Sequence, residues 1–360
     1  MSIHFHQLTV KDIRQETPEC VSIAFDVSPD LQDIFRFSHG QNITLRKSIG
    51  GEDIRRSYSI CSSPAENELR VAVKKVSGGL FSGFANEELK TGDRVDVLPP
   101  TGKFFTHLHS AQKKKYLAFA AGSGITPVIS IIKTTLAIEP ESEFTLVYGN
   151  RTRSSIIFFE ALEALKNKFM NRFNLIHILS RERMEAELNF GRIDVEKCSI
   201  LCDKMIELDK TDEIFICGPE EMIFCIKNFL EQKEISEKKI HFELFTTSGQ
   251  KKSEIRNPKS EIESGPISKI TVKVDGRSFD FDLSLTSDTT ILDAALKQGA
   301  DLPFACKGGM CCTCKAKLAE GEVEMDVHWG LEHEEVEQGY ILTCQSHPKT
   351  EKVVVDFDIK

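Results

Sequence analysis

No apolar run in this 360-residue sequence reaches the roughly 18 to 20 residues that cross a bilayer. Its opening, MSIHFHQLTVKD, lacks the basic start and apolar core of a secretion signal. These absences predict a cytoplasmic protein with no membrane partner. The net charge is −9 and no helix-like stretch carries a basic face, so nucleic acid is not the expected partner. Internal repeats are missing, and so is the G-x-G-x-x-G fingerprint of ordinary dinucleotide sites. No E-x-x-H pair and no two-His-one-carboxylate set stands at helical spacing, which leaves no place for the corresponding iron centres.

What is present divides into segments. A chain of this length exceeds what one hydrophobic core serves, so two or three domains are expected. Residues 1–110 read as short strands between turns. Val21, Ile23, Phe25 and Val27 alternate, as do Leu69, Val71 and Val73, while Gly50-Gly51, Gly78-Gly79 and Pro99-Pro100 punctuate. An antiparallel β-barrel is the natural outcome.

Residues 111–248 alternate strands and helices. Strands are predicted at 116–121, 144–148, 175–179, 213–217 and 239–245, with helices near 155–169 and 220–233. That order means an α/β domain with a parallel sheet. Residues 249–267 are polar and read as a linker. In 268–360 an Asp275-Gly276 hairpin is expected, then a helix near 289–298 and a last strand at 353–357.

Eleven cysteines are present, and five of them lie close together near the C-terminus. Cys306, Cys311 and Cys314 have C-x4-C-x2-C spacing, and Cys344 follows. Gly308 and Gly309 allow the sharp bend that three thiolates on one loop require. Zinc also takes four cysteines, but its sites usually show two C-x2-C pairs, and only one exists here. The reading is an iron–sulfur cluster.

Three further motifs bear on ligands. Arg56-Ser57-Tyr58-Ser59 offers a guanidinium for a pyrophosphate, a ring for an isoalloxazine face and a hydroxyl for a ring nitrogen. Alone it is weak, and an exposed strand is the ordinary alternative. Gly79 and Ser82 lie downstream, where glycines open a predicted helix and its free N–H groups suit phosphate. Gly122-Ser123-Gly124-Ile125-Thr126-Pro127 joins a strand to a helix and lets the backbone approach a diphosphate. Cys217-Gly218 ends a later strand; by itself that cysteine reads as a buried core thiol.

In this order the motifs of residues 5–248 resemble the ferredoxin–NADP reductase family, and residues 268–360 resemble plant-type [2Fe–2S] ferredoxins, which implies a β-grasp-like fold. The resemblance implies that Arg56, Tyr58 and Ser59 bind flavin, with Ser59 pointing to FAD, and that Gly79 and Ser82 bind its pyrophosphate. It implies that Gly122, Gly124, Thr126 and Pro127 hold the nicotinamide nucleotide, with Cys217 and Gly218 against the nicotinamide ring. Cys306, Cys311, Cys314 and Cys344 would be the metal ligands, and Cys312 would not. Ser180-Arg181 resembles the site for the 2′-phosphate of NADPH, although Glu182 beside it would suit NADH and a surface arginine is the ordinary alternative. The family's plant members end on an aromatic over the flavin; here Phe245 is the nearest counterpart before the linker.

The combination of flavin, nucleotide and cluster sites resembles the reductase components of bacterial multicomponent oxygenases. A flavin accepts two electrons and releases them singly, so it belongs between nucleotide and cluster. Oxygen activation would lie in a separate metal-containing oxygenase. Residues Ser268 to Lys360 hold 10 Lys and Arg against 17 Asp and Glu. That acidity would steer the domain to a basic partner surface, or serve solvation alone. A redox sensor, gated by cluster oxidation, is the alternative from another class.

Overall fold

The computed structural model describes residues 4–184, 186–245 and 266–359. The expected linker, 249–267, lies outside the described residues apart from Pro266 and Ile267. Contacts group most of the barrel and the α/β domain in one compact unit, and the cysteine-rich domain, with Arg55–Ser57 of the barrel, in another.

The first domain is one antiparallel sheet of β1 (His6–Thr17), β2 (Cys20–Asp26), β3 (Asn42–Ile49), β4 (Glu52–Ser59), β5 (Leu69–Lys74) and β6 (Arg94–Val97). Their order is β4-β3-β6-β1-β2-β5. A bridge from Ile60, just past β4, to Val71 in β5 brings the two edges together into a barrel. One short helix, α1 (Leu80–Glu87), follows β5. Alternation along β2 does not become alternating exposure, because Cys20 through Phe25 are all buried. Cys20, Cys61 and Ala72 join the hydrophobic core of the α/β domain, so this side of the barrel is covered on both faces.

The second domain runs β7 (Lys115–Ala121), α2 (Ile125–Ile138), β8 (Glu143–Asn150), α3 (Phe159–Lys168), β9 (Phe173–Leu179), α4 (Val195–Lys204), β10 (Glu213–Gly218), α5 (Glu220–Gln232) and β11 (Ile240–Leu244). The sheet is parallel in the order β11-β10-β7-β8-β9. Two details differ from the sequence expectation. The helix foreseen from residue 155 begins at Phe159, because Phe158 takes a left-handed conformation at φ 62°. The helix α4 was not foreseen; Asp194 caps it by accepting from the Lys197 N–H at 2.8 Å.

Two side chains of α2 tie the domains together. Ser130 Oγ donates to the Ser62 carbonyl at 2.6 Å, and Thr134 Oγ1 donates to Ser63 Oγ at 3.0 Å. Lys133 adds an ion pair to Glu66 at 3.0 Å.

The last domain contains β12 (Ile267–Val274), β13 (Arg277–Ser284), α6 (Ile291–Lys297), β14 (Lys315–Glu320), β15 (Val323–Met325), α7 (His333–Glu337), β16 (Tyr340–Leu342), β17 (Ser346–Pro348) and β18 (Lys352–Asp356). Its mixed sheet has the order β13-β12-β18-β14-β16, with β12 and β18 parallel, and it packs on α6 in the β-grasp manner. Asp275 and Gly276 both have positive φ (53° and 68°), as the tight hairpin demands. Among the described residues no helix is long and apolar enough to cross a membrane.

Candidate functional site

The flavin residues lie at the end of β4. Ser59 is buried there, and its hydroxyl donates to Glu243 Oε2 at 3.2 Å. Tyr58 is half-buried, its ring 5.6 Å from that of Phe81 on α1. Arg56 is exposed, and its Nη1 donates only to the neighbouring Arg55 carbonyl at 2.7 Å. At the start of α1, Ser82 Oγ accepts from the Val76 N–H at 3.1 Å and donates to the Gly79 carbonyl at 3.2 Å. Ser82 thus shapes the turn. A Cβ on Gly79 would stand 2.5 Å from that hydroxyl, so the turn is a backbone-only cradle beside the amides of the first helical turn. A pyrophosphate fits such a cradle.

The nucleotide motifs meet where the strand order reverses, between β7 and β10, the usual ligand crevice of an open parallel sheet. Gly122 takes φ 54°, and its carbonyl accepts from Tyr148 OH at 2.9 Å. Thr126 Oγ1 donates to the Ser123 carbonyl at 3.0 Å, holding the loop. Pro127 lies in the first turn of α2, where a missing N–H costs nothing. A Cβ on Gly124 would stand 2.1 Å from the Cys217 carbonyl oxygen, so the two motifs touch backbone to backbone. Cys217 is fully buried. Desolvation first, and the charge of Glu243 second, raise its thiol well above the ordinary 9.0. The thiol at the crevice floor is therefore neutral.

Glu243 is the residue that sequence reasoning passed over. It pairs in register with Cys217 across β10 and β11 and receives Ser59. Its half-buried side chain ends among protein atoms, and desolvation lifts the carboxyl from 4.5 to about 7 against the lowering effect of Ser59. A lone acid in an apolar strand end was the available signal. Phe245, two residues on, packs on the α/β core.

Ser180 and Arg181 follow β9, two strands from the crevice or roughly 10 Å along the sheet. Their N–H groups donate to the carbonyls of Asn150 and Arg151 at 2.9 and 2.8 Å. The Arg181 side chain is exposed and Ser180 is half-buried. Glu182 Oε2 accepts from the Arg153 N–H at 2.8 Å, so its carboxylate caps the turn after β8.

The four cysteines lie in two pairs. The Cys311 thiol donates to Cys306, which holds Cys306 low and Cys311 high; N–H groups of Gly308, Cys311 and Met310 add to the lowering at Cys306. The Cys314 thiol donates to Cys344 with the same opposed effects, and the Gly309 N–H and Gln345 also favour the Cys344 thiolate. Gly308 N and Cys311 N stand 3.3 and 3.5 Å from Cys306 Sγ. Lys307, Gly309 and Cys312 take positive φ to wrap the loop. Two pairs suit two irons. Cys312 turns elsewhere, donating to the Gly330 carbonyl at 2.6 Å.

These folds and sites define a pyridine-nucleotide-dependent flavin and iron–sulfur reductase. Residues 7–106 match the oxidoreductase FAD-binding domain, 119–228 the oxidoreductase NAD-binding domain, and 272–349 the 2Fe-2S iron-sulfur cluster binding domain. The chain belongs to the family of oxygenase reductase components. It is 46% identical to one of the subunits of 1,2-phenylacetyl-CoA epoxidase of Escherichia coli K12, over 99% of this chain and 98% of that one. It is 32% identical to the ferredoxin reductase component of 3-ketosteroid-9-alpha-monooxygenase of Rhodococcus rhodochrous, over 97% and 96%. Phthalate dioxygenase reductase shares the fold, with a TM-score of 0.58 over 98% of each chain at 22% identity.

Proposed function

We propose that the protein carries electrons from NADPH through FAD and the [2Fe–2S] cluster to a separate metal-containing oxygenase that epoxidises phenylacetyl-CoA, within the cytoplasm. The end-to-end 46% identity to a component of that epoxidase carries this reading. The cysteine loop Phe304–Lys317 also resembles the reductase subunit of that epoxidase.

Bound FAD would convert a two-electron donation into single electrons, which the cluster would carry. The protein's residues set the conditions. Arg56 offers a charge-assisted bond to the flavin pyrophosphate, and the turn at Gly79 offers a backbone cradle for it. Ser59 and Glu243 form a hydrogen-bonded pair beside Cys217, which places a dissociable proton next to a neutral thiol. Gly122, Gly124, Thr126 and Pro127 shape a loop through which a diphosphate can approach amides. Ser180 and Arg181 would take the 2′-phosphate. The capping role of Glu182 supports this, because that carboxylate already accepts a backbone N–H. Cys306, Cys311, Cys314 and Cys344 would hold the two irons, one pair to each.

The test is growth. Deleting the gene should stop growth on phenylacetate, and a plasmid copy should restore it. Normal growth of a strain without a second such reductase would rule out the epoxidase assignment and leave the electron-transfer chemistry standing.

A further inference from the structure

Trp329, the sole tryptophan, stands between β15 and α7 and is 37% exposed. Its loop is fastened to the cysteine loop. Gly330 N–H donates to the Gly309 carbonyl at 2.9 Å, and the Cys312 thiol donates back to Gly330. A Cβ on Gly330 would come within 2.5 Å of the Met310 carbonyl oxygen, and one on Gly309 within 2.7 Å of Val327. No side chain fits between the loops. The backbone next to Trp329 is therefore held against the loop that bears Cys311, and a partner that covers this segment comes close to the cluster ligands.

The surroundings are acidic. From Glu320 to Glu337 the sequence has eight Asp and Glu and no Lys or Arg. Lysines answer three of them: Lys352 at Glu320, Lys349 at Glu324 and Lys315 at Glu335. The segment as a whole stays negative. A large exposed aromatic inside a charged rim is the composition of an interface centre, where Trp contributes far more than its neighbours.

We propose that the face centred on Trp329 is where the electron-accepting protein docks, and that the partner's patch is apolar at its centre and basic around it. This rests on the reductase reading above. Tunnelling falls steeply with distance, so a face joined to the ligand loop is well placed for electron exit, and the acidic rim steers a basic partner onto it.

The full chain loaded with FAD and cluster tests this, with mitochondrial cytochrome c as a small, basic one-electron acceptor. At low salt Trp329→Ala should lower kcat/KM for cytochrome c at least fivefold, and Trp329→Phe should recover most of it. Both should keep wild-type ferricyanide reduction and cluster absorbance. Wild-type cytochrome c reduction by Trp329→Ala with its cluster intact would overturn the proposal, and so would wild-type rates in Cys306→Ser. If Trp329→Ala loses its cluster, Glu334→Lys on exposed α7 decides: a threefold or larger loss at low salt that vanishes at high salt supports the face, and no loss overturns it. Failure of the wild-type protein to reduce ferricyanide with NADPH would instead refute the underlying reductase reading.

Discussion

Glu243 and the cysteines show what single residues contribute. A carboxyl whose pKa rises from 4.5 to about 7 on folding keeps a proton that the unfolded chain has released. Stability of the flavin-free protein should therefore fall as pH climbs from about 4.5 through 7, by an amount on the order of 1–3 kcal/mol. Glu243→Gln should flatten that slope, which urea midpoints at pH 5 and pH 8 would reveal; an unchanged slope would place the titration elsewhere. At the cluster, Ser in place of Cys306, Cys311, Cys314 or Cys344 should abolish or destabilise the iron–sulfur absorbance and leave the flavin bands. Cys312→Ser should retain about two irons and two sulfides per chain, because that side chain serves the Gly330 carbonyl. Zinc in place of iron, in protein made anaerobically with ample iron, would sink the assignment.

Among the elements, the turn after β9 is the proposed site of nucleotide choice. Arg181→Ala should cut kcat/KM for NADPH about tenfold or more and leave NADH within about twofold, since one charge-assisted contact to a dianion is lost. Equal losses for both nucleotides would show that the side chain only shapes the turn. Legibility in the sequence varied by element. Strands of the parallel sheet were readable because apolar runs such as Tyr116–Ala121 are buried on both sides. Loop motifs were readable because glycines at Gly79 and Gly124 mark places where a Cβ cannot fit. By contrast, α4 was missed because its sequence is half polar and leaves Val195 exposed. The start of α3 was misplaced because the left-handed turn uses a phenylalanine instead of a glycine. The bond that engages Glu182 could not be read, since its partner, the Arg153 N–H, is 29 positions away. Glu243 could not be read as a site residue without the register that sets it beside Cys217.

For the whole molecule, the barrel and the α/β domain form one body, while the cluster domain has a core of its own. A chain ending at Phe245 should still reduce ferricyanide with NADPH, because the flavin and nucleotide residues are all present. It should pass no electrons to cytochrome c; undiminished transfer would mean the cluster is bypassed. The hydrogen bonds from Ser130 and Thr134 to the turn at Ser62 and Ser63 have a consequence for heat as well. Cys20, Cys61 and Ala72 of the barrel side lie in the same apolar cluster as Ile132 and Phe144. Neither half can melt without stripping the other's interior. Calorimetry of the flavin-free chain should accordingly show two cooperative transitions where a count of three domains suggests three, one of them common to the flavin and nucleotide halves.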